Sequence, residues 1–362
     1  MTNELKKSEI LFLYETMYNI PNGDPFTGEQ RYDEETKKIL VSDVRMKRYV
    51  RDYLDNKNDQ IIYIKQKSKN VQESNEDTSE SETNKEDSNA TKKGSGSARR
   101  IDELILQFKG EIEKAKKELE SQEKDENNIE ELSQERKKKN KPSPKFNEAL
   151  FVMKKCIDVR LFGGISTKKE NAVNLTGPVQ FSLLNSSLNK VDLRPHQNTS
   201  CFESKQGNKQ GAIGTTSVVP YSLVQIHGWV NPKVAEITEM SNNDLNLMYE
   251  GLWFGTSGEG SSHSRSKIGQ SSILLLEIEY SQPNQKIYGL DRLIKIEPKE
   301  NKKDEQIRNI GDYSFNFEEL ITVANSDKVS KILYYTELEE IKKELTGNKF
   351  KEMSFTKTKE AK

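Results

Sequence analysis

Residues 10–19 read ILFLYETMYN, and a turn sequence, Pro21-Asn22-Gly23-Asp24, follows them. The run is apolar and aromatic with partial alternation, which is typical of a core β-strand that ends at a turn. Two later segments share the strand pattern: 218–230 (VVPYSLVQIHGWV) alternates, and 271–280 (SSILLLEIEY) is apolar enough for a central strand. The sequence therefore predicts a sheet built from segments that lie far apart in the chain.

The composition limits the number of domains and the classes of partner that are expected. Of 362 residues, 32% are hydrophobic and 32% charged, so we expect one large or two ordinary domains and a segment outside any core. The 57 Lys and Arg nearly cancel the 58 Asp and Glu, so net charge does not indicate a nucleic-acid partner. Cys156 and Cys201 form no CxxC pair, which argues against structural zinc. No signal-peptide or membrane-span pattern is present, and we expect a cytoplasmic protein without a membrane partner.

The composition changes sharply at residue 66. Large apolar residues almost vanish over 66–98, which we predict to be disordered, whereas 100–135 is predicted to be helical. The helical part has an apolar seam of Ile101, Ile105, Phe108, Ile112, Ala115 and Leu119. We therefore expect a charged insertion at 66–145, a globular core formed by 8–65 and 146–340, and a C-terminal tail at 341–362.

Helices and strands are interleaved without the regular rhythm of a doubly wound sheet. Ser241 and Asp244 resemble a capping box at the start of a helix whose apolar face includes Leu245 and Leu252. The predicted fold class is α+β with a mostly antiparallel sheet.

A basic amphipathic helix is predicted from Ser42, as the N-cap, to about Leu54. On a helical wheel, apolar and aromatic residues cover one half. The other half carries Arg45, Lys47, Arg48 and Arg51. Such a face is consistent with a solvated surface, and its leading functional alternative is the backbone of a nucleic acid.

Two segments rich in small and polar residues are further candidates for function. Residues 192–217 carry Arg194 and Phe202, and such composition suits either an extended hairpin or a flexible loop. Residues 255–269 place Arg265 and Lys267 among small residues that let a backbone approach a phosphate. No GxxxxGK[ST] is present, so nucleotide hydrolysis has no support.

Several short sequence blocks, some of them in the segments described above, occur in a characteristic order along the chain. They are PNGDP, LVSDVRMKRYVRDYL, IDVRLFGG, TGPVQFS, VVPYSLVQIHGWVNP and SRSKIG before LLLEIEY. In this order they resemble the Cas-seven family, the backbone subunit of CRISPR Cascade, and within it the branch of subtypes I-B and I-C. The turn departs from the family pattern, because Asn19-Ile20-Pro21-Asn22 stands where Asn-Pro-Asn-Gly is expected.

The resemblance implies a fold and a function. The implied fold is an RRM-like, or modified ferredoxin-like, palm with finger insertions and a thumb at about 192–217. Copies would polymerise along a CRISPR RNA and present it for pairing with target DNA, so that base pairing reads the sequence. The implied partners also include a Cas-five-type subunit, a large Cas-eight-type subunit and often a Cas-six-type endonuclease. The expected role is binding without catalysis, cofactor or metal.

The resemblance also assigns RNA-binding roles to individual residues. Arg45, Lys47, Arg48 and Arg51 fall on the family's RNA-facing helix. The other expected contacts are Gln180, Ser182, Arg194, Phe202, Arg265 and Lys267. Phe202 or Ile213 would wedge between nucleotides from the thumb. Arg160 is equally consistent with a salt bridge at the edge of the core.

Two other functions remain open from the sequence. Related backbone subunits of type III complexes cut target RNA with an acidic residue after the first strand, and Asp24 and residues 33–35 lie there. These acids equally suit a turn and a solvated loop. The third candidate is an RRM-like regulator that binds nucleic acid as a monomer.

Overall fold

A computed structural model describes residues 5–57, 60–65, 96–130, 146–168, 172–203, 211–258 and 265–355. The strands are β1 (Ser8–Asn19), β2 (Tyr32–Asp33), β3 (Lys38–Ser42), β4 (Gly163–Ser166), β5 (Val173–Thr176), β6 (Val179–Phe181), β7 (Leu184–Ser186), β8 (Arg194–Glu203), β9 (Gly211–Val230), β10 (Gln270–Tyr280), β11 (Lys295–Pro298), β12 (Tyr313–Asn316), β13 (Val329–Tyr335) and β14 (Phe350–Glu352). The helices are α1 (Asp43–Asn56), α2 (Gly96–Gln107), α3 (Lys109–Glu130), α4 (Glu148–Lys154), α5 (Ile157–Phe162), α6 (Pro232–Thr238), α7 (Asn242–Thr256), α8 (Glu318–Ala324) and α9 (Glu339–Glu344).

The chain divides into two compact units. The first consists of 1–60, 160–162 and 176–362, and the second of 61–159 and 163–175. The predicted boundaries, at 65 and 146, differ from this division. Residues 146–159 join the second unit because Ala149, Val152 and Met153 pack in the same cluster as Ile101 and Leu104.

The first unit is built on a large sheet whose strands are ordered β14-β13-β10-β1-β9-β6, with β8 paired to β9. Every pair in it is antiparallel except β13 with β14. The predicted α+β class with a mostly antiparallel sheet is confirmed. Part of the segment predicted to be a C-terminal tail belongs to the fold instead, since β14 is the edge strand of the large sheet. Residues 356–362 lie outside the described part.

Both faces of the central strand are covered. In β1, Phe12 lies opposite Leu275 of β10 and Ile226 of β9, and residues 8–14 are all buried. Leu11 and Leu13 pack in a cluster with Leu290, Tyr313, Phe317 and Leu320. Because alternate residues of a strand point to opposite faces, Phe12 and Tyr14 face the other layer, where α1 packs on α7. Burial on both faces explains why β1 alternates only partially.

Helix α7 begins and packs as its sequence indicates. The Ser241 hydroxyl accepts the Asp244 backbone N–H, and the Asp244 carboxylate accepts the Ser241 N–H, so the predicted capping box is confirmed. Gly255 permits close packing on α1, because a Cβ there would lie 2.7 Å from the Tyr49 carbonyl oxygen.

Residues 192–217 contain a β-hairpin arm. Strand β9 pairs with β1 only from Val219 onward, and its earlier residues pair with β8 from Arg194↔Val218 to Glu203↔Gly211. Eight residues of β9 thus extend past the sheet, roughly 25 Å at about 3.3 Å per residue. The extended-hairpin alternative is therefore the one observed over the described residues.

The second unit contains helices α2 to α4 around its own core. Ile101 and Ile112 of the predicted seam are buried, and Ile105 and Phe108 pack against them, but Leu119 is 42% exposed. Most of the segment predicted to be disordered, 66–95, lies outside the described residues. Residues 96–98 instead form the first turn of α2, where the Ser97 hydroxyl lies 3.3 Å from that of Thr167. Residues 131–145 also lie outside the described part.

Candidate nucleic-acid interface

Helix α1 has the two faces that its sequence predicts. Met46, Tyr49, Val50, Tyr53 and Leu54 are buried. Ser42 is the N-cap residue, but its hydroxyl does not cap the helix; it donates, with the Ser42 N–H, to Asn22 Oδ1 at 2.9 and 2.6 Å. This contact fixes the start of α1 to the turn after β1.

Lys47, Arg51 and Gln180 come together around Phe162, and we call these four residues the Lys47 cluster. Lys47 Nζ donates to Asp43 at 2.9 Å and to Gln180 Oε1 at 3.2 Å. The Arg51 guanidinium and the Lys47 ammonium lie 5.4 and 5.9 Å from the Phe162 ring centre. The Lys47 side chain is only 13% exposed, so an incoming phosphate must compete with Asp43 for it.

Arg48 forms an ion pair with Asp52 within helix α1. Its Nε donates to both carboxylate oxygens of Asp52, at 2.8 and 2.7 Å. Such an i,i+4 pair stabilises the helix by a few tenths of a kcal/mol. A phosphate must therefore compete with Asp52 for the Nε of Arg48.

Arg45 and Lys267 form a second group, the Arg45–Lys267 pair. The Arg45 guanidinium lies 4.0 Å from the ring centre of Tyr49. Its Nε is buried and has no hydrogen-bond acceptor within the described part of the chain. Lys267, in a short 3-10 helix (Arg265–Lys267), donates to the Ile20 carbonyl. Burial, with a smaller effect of Arg45, lowers the pKa of Lys267 to about 7.

The electrostatics of this pair favour an anion. A partly desolvated ammonium beside a guanidinium is destabilised in its charged form, and a phosphate placed between them would stabilise both charges. The pair thus has the chemistry of a candidate phosphate site.

The segment that carries Lys267 is tied to the end of β1. Met17 N–H donates to the Gly269 carbonyl at 2.8 Å, and Ile20 N–H donates to that of Ser266 at 3.0 Å. Gly269 has a φ of +89°, and a Cβ there would lie 2.7 Å from the Met17 carbonyl oxygen. A glycine is needed for this close approach. The contacts hold Lys267 beside the first strand.

The remaining predicted contacts lie elsewhere. Ser182 uses its backbone, donating to the His227 carbonyl at 2.8 Å, and it lines a cleft of about 460 Å³. Arg194 is exposed at the base of the hairpin arm. Phe202 lies in β8, but its side chain, like those of Ile213 and Arg265, lies outside the described part.

Arg160 makes a salt bridge, which decides between its two interpretations. Its Nε and Nη2 donate to the two oxygens of Asp244, at 2.9 and 2.7 Å, and the Asp244 side chain is only 5% exposed. The bidentate geometry anchors the end of α5 to the capping box of α7.

The acidic residues after β1 serve the local backbone. Asp24 accepts the Phe26 N–H at 2.9 Å and pairs with Arg31 at 3.1 Å. Asp33 accepts the Thr36 hydroxyl at 2.6 Å, which lowers its pKa. Within the described ranges, no three His, Cys, Asp or Glu residues are grouped to hold a metal ion. The described helices also include none that is long and apolar enough to cross a membrane.

Two of the cations on α1 have acidic partners on the same helix. Asp43 precedes Lys47 by four residues, and Asp52 follows Arg48 by four. This spacing is a signal of ion pairs within a helix. The basic face is thus partly neutralised, as the two aspartates in the sequence indicate.

Comparison with known proteins identifies the family. The sequence model described as CRISPR-associated protein Cas7 matches residues 6–318. The chain belongs to the Cas7 family. A CRISPR-associated protein Cas7 from Haloferax volcanii is 26% identical to this Cas7-family chain over 337 residues, covering 88% of it and 82% of the relative.

Two solved structures are also similar. A chain of a "CRISPR RNA-guided surveillance complex, pre-nicking" has a TM-score of 0.42 at 12% identity, covering 79% of the Cas7-family chain and 83% of its own length. A chain of a "CRISPR RNA-guided surveillance complex" has a TM-score of 0.42 at 10% identity, with coverages of 91% and 90%.

Proposed function

We propose that this Cas7-family chain is the guide-RNA-binding backbone subunit of a type I CRISPR interference complex, of subtype I-B. The observation that carries this proposal is that α1 presents cations at two places: Arg45 interacts electrostatically with Lys267 from another part of the chain, and Lys47 and Arg51 lie beside the Phe162 ring. Two phosphate sites on one helix would follow the backbone of a strand and leave its bases free.

The palm of the proposed subunit is RRM-like. The elements β1, α1, β6, β9, α7 and β10 follow the β-α-β-β-α-β order, and their strands are ordered β6-β9-β1-β10 in the sheet. This order is that of the ferredoxin-like motif, which supports the assignment. Since residues 287–320 cover the face opposite α1 and α7, RNA would bind at the ends and edges of the strands.

The hairpin arm is the proposed thumb, and Arg194 with Phe202 or Ile213 would contact and bend the guide. Ser182, Gln180 and Arg265 are further proposed contacts. The subunit would stack with copies of itself and join Cas-five-type, Cas-eight-type and often Cas-six-type subunits in the cytoplasm. Mass measurement on a long RNA tests the stacking: a complex that holds one copy would favour the monomeric regulator.

A double substitution tests the RNA-binding function. Lys47→Ala with Arg51→Ala should weaken binding of single-stranded RNA, because two phosphate contacts are lost. The slope of log affinity against log salt should fall by about 1.4, at about 0.7 per contact. The measurement is fluorescence anisotropy across a salt series on protein whose melting temperature has been checked.

The matched control removes the same charge elsewhere. Lys328 and Lys343 are exposed lysines outside α1, and their double alanine variant should keep both the affinity and the slope. If the two double variants behave alike, general charge rather than the Lys47 cluster binds the RNA, and the assignment of α1 is wrong.

A further inference from the structure

Tyr18 has an unusual backbone conformation at the end of β1. Its φ is +48°, and its side chain is 66% exposed. Residues with a Cβ rarely adopt this left-handed region, and for a bulky aromatic residue it is a strained conformation. Such strain persists only where neighbouring structure holds it, and it is found preferentially at functional sites.

Contacts on both sides hold Tyr18 in this conformation. Before it, Met17 N–H donates to the Gly269 carbonyl; after it, Asn19 Nδ2 donates to the Ile268 carbonyl at 2.8 Å. The Asn19 side chain also accepts the Thr16 hydroxyl. The surrounding segments therefore fix the backbone at Tyr18 without packing against most of its ring.

Folding alone does not account for a tyrosine at this position. An asparagine tolerates the left-handed region better, and an aromatic ring that stays mostly exposed gains little from burial. The ring is thus available to a ligand, and the fixed backbone that carries it reduces the entropy lost when a ligand packs on it.

The charges on either side of Tyr18 indicate which ligand fits. Asn19, next to Tyr18, pairs with Val219 of β9, and the preceding residue of β9, Val218, pairs with Arg194 at the base of the hairpin arm. On the other side, the Ile20 carbonyl accepts the ammonium of Lys267, which belongs to the Arg45–Lys267 pair. An exposed aromatic ring between cations suits a base that is flanked by phosphates.

We propose that the Tyr18 ring is a stacking platform for one nucleobase of a bound single-stranded RNA, with an adjacent phosphate on the Arg45–Lys267 pair. The inference rests on the proposed RNA-binding function and assigns it a base contact. Stacking accepts any base, because every base has a π-face. A subunit that carries guides of differing sequence needs such tolerance.

The test uses Tyr18→Ala, Tyr18→Phe and Tyr18→Asn in the full chain, with an RNA of about ten nucleotides of mixed sequence. Tyr18→Ala and Tyr18→Asn should weaken binding about 5- to 150-fold, the range for one stacked base. Tyr18→Phe should stay within about twofold because the ring is kept. The salt slope should not change in any of them, since no cation is removed.

Thermal melting gives an independent readout. Tyr18→Asn should melt at or above the wild-type temperature because it relieves the backbone strain. Loss of RNA binding without loss of stability would then separate stacking from a structural role. Tyr288→Ala is the matched control, since Tyr288 is 87% exposed outside this region, and it should bind as the wild type does.

The outcomes distinguish the inference from the function on which it rests. If the wild type binds RNA and Tyr18→Ala binds equally well, the stacking platform is refuted and the proposed function stands. If the wild type binds no RNA, both are refuted. If Tyr18→Ala keeps its affinity for the short RNA but fails to stack along a long one, Tyr18 contacts a neighbouring copy and the inference is again refuted.

Discussion

RNA binding at the Arg45–Lys267 pair should weaken as the pH rises through neutrality. Lys267 has a pKa lowered to about 7, first by burial and then by Arg45. A phosphate favours the charged ammonium, so in the complex the pKa should return towards the ordinary value of about 10.4. Above pH 7 the free protein has lost this proton and must take it up to bind.

The size of the effect follows from the fraction of Lys267 that is charged. With a pKa of about 7, roughly 90% is charged at pH 6 and about 3% at pH 8.5. The affinity should therefore fall by up to about 30-fold over this range, approaching tenfold per pH unit at its upper end. Fluorescence anisotropy with a short RNA at fixed ionic strength measures the fall, and calorimetry in two buffers measures the proton taken up.

Lys267→Gln is the control, because it cannot titrate. Every other titratable group remains in this variant, so the difference between the two pH profiles isolates Lys267. The variant should bind more weakly than the wild type at pH 6 and equally at pH 8.5. A wild-type profile parallel to that of Lys267→Gln, with no extra proton uptake, would refute the coupling between Lys267 and the RNA.

Three further predictions concern stability and catalysis. Gly269→Ala should lower the free energy of unfolding by about 1–3 kcal/mol, since a Cβ would lie 2.7 Å from the Met17 carbonyl oxygen at a positive φ; denaturant titration measures this. Asp244→Ala should cost about 3–5 kcal/mol, because it removes the buried carboxylate that binds the Arg160 guanidinium through two hydrogen bonds. Wild type and Asp24→Ala, each assembled on a guide with magnesium, should both leave a complementary labelled RNA intact.

Each of these predictions has an outcome that contradicts it. An unchanged stability of Gly269→Ala would mean that the 265–269 segment moves away from β1 at little cost. If Asp244→Ala lowers the free energy of unfolding by less than about 1 kcal/mol, the salt bridge with Arg160 contributes no more than an exposed ion pair. Regularly spaced cuts by the wild type that Asp24→Ala abolishes would establish the endoribonuclease instead.

Local sequence patterns predicted the elements of the fold well. The strand around ILFLYETMYN, the buried face of α1 and the capping box at Ser241 all depend on residues a few positions apart, which periodicity and capping rules describe. The predicted insertion boundary differs from the observed unit because Ala149 and Met153 pack by long-range contacts. A local pattern does not carry that information.

The candidate site was predictable only in part, for the same reason. The wheel of α1 gave the identities of its cations, but two of the groups near them come from elsewhere in the chain: Gln180 accepts a hydrogen bond from Lys47, and Lys267 interacts electrostatically with Arg45. Tyr18 was concealed within a strand-like run, where an aromatic residue is ordinarily a core residue. The structure shows that the backbone of Tyr18 has a positive φ and that its ring is exposed.

Because both faces of the large sheet are covered, the structure bears on whether the subunit folds before or after it binds RNA. Its core is complete without any ligand, since Leu11 and Leu13 are buried by the chain's own later segments. Synthesis and folding can therefore precede the supply of guide, in contrast to domains that fold only around their ligand. Little of the binding free energy would go into ordering the palm, so the rate of assembly would depend on the encounter between finished subunits and RNA.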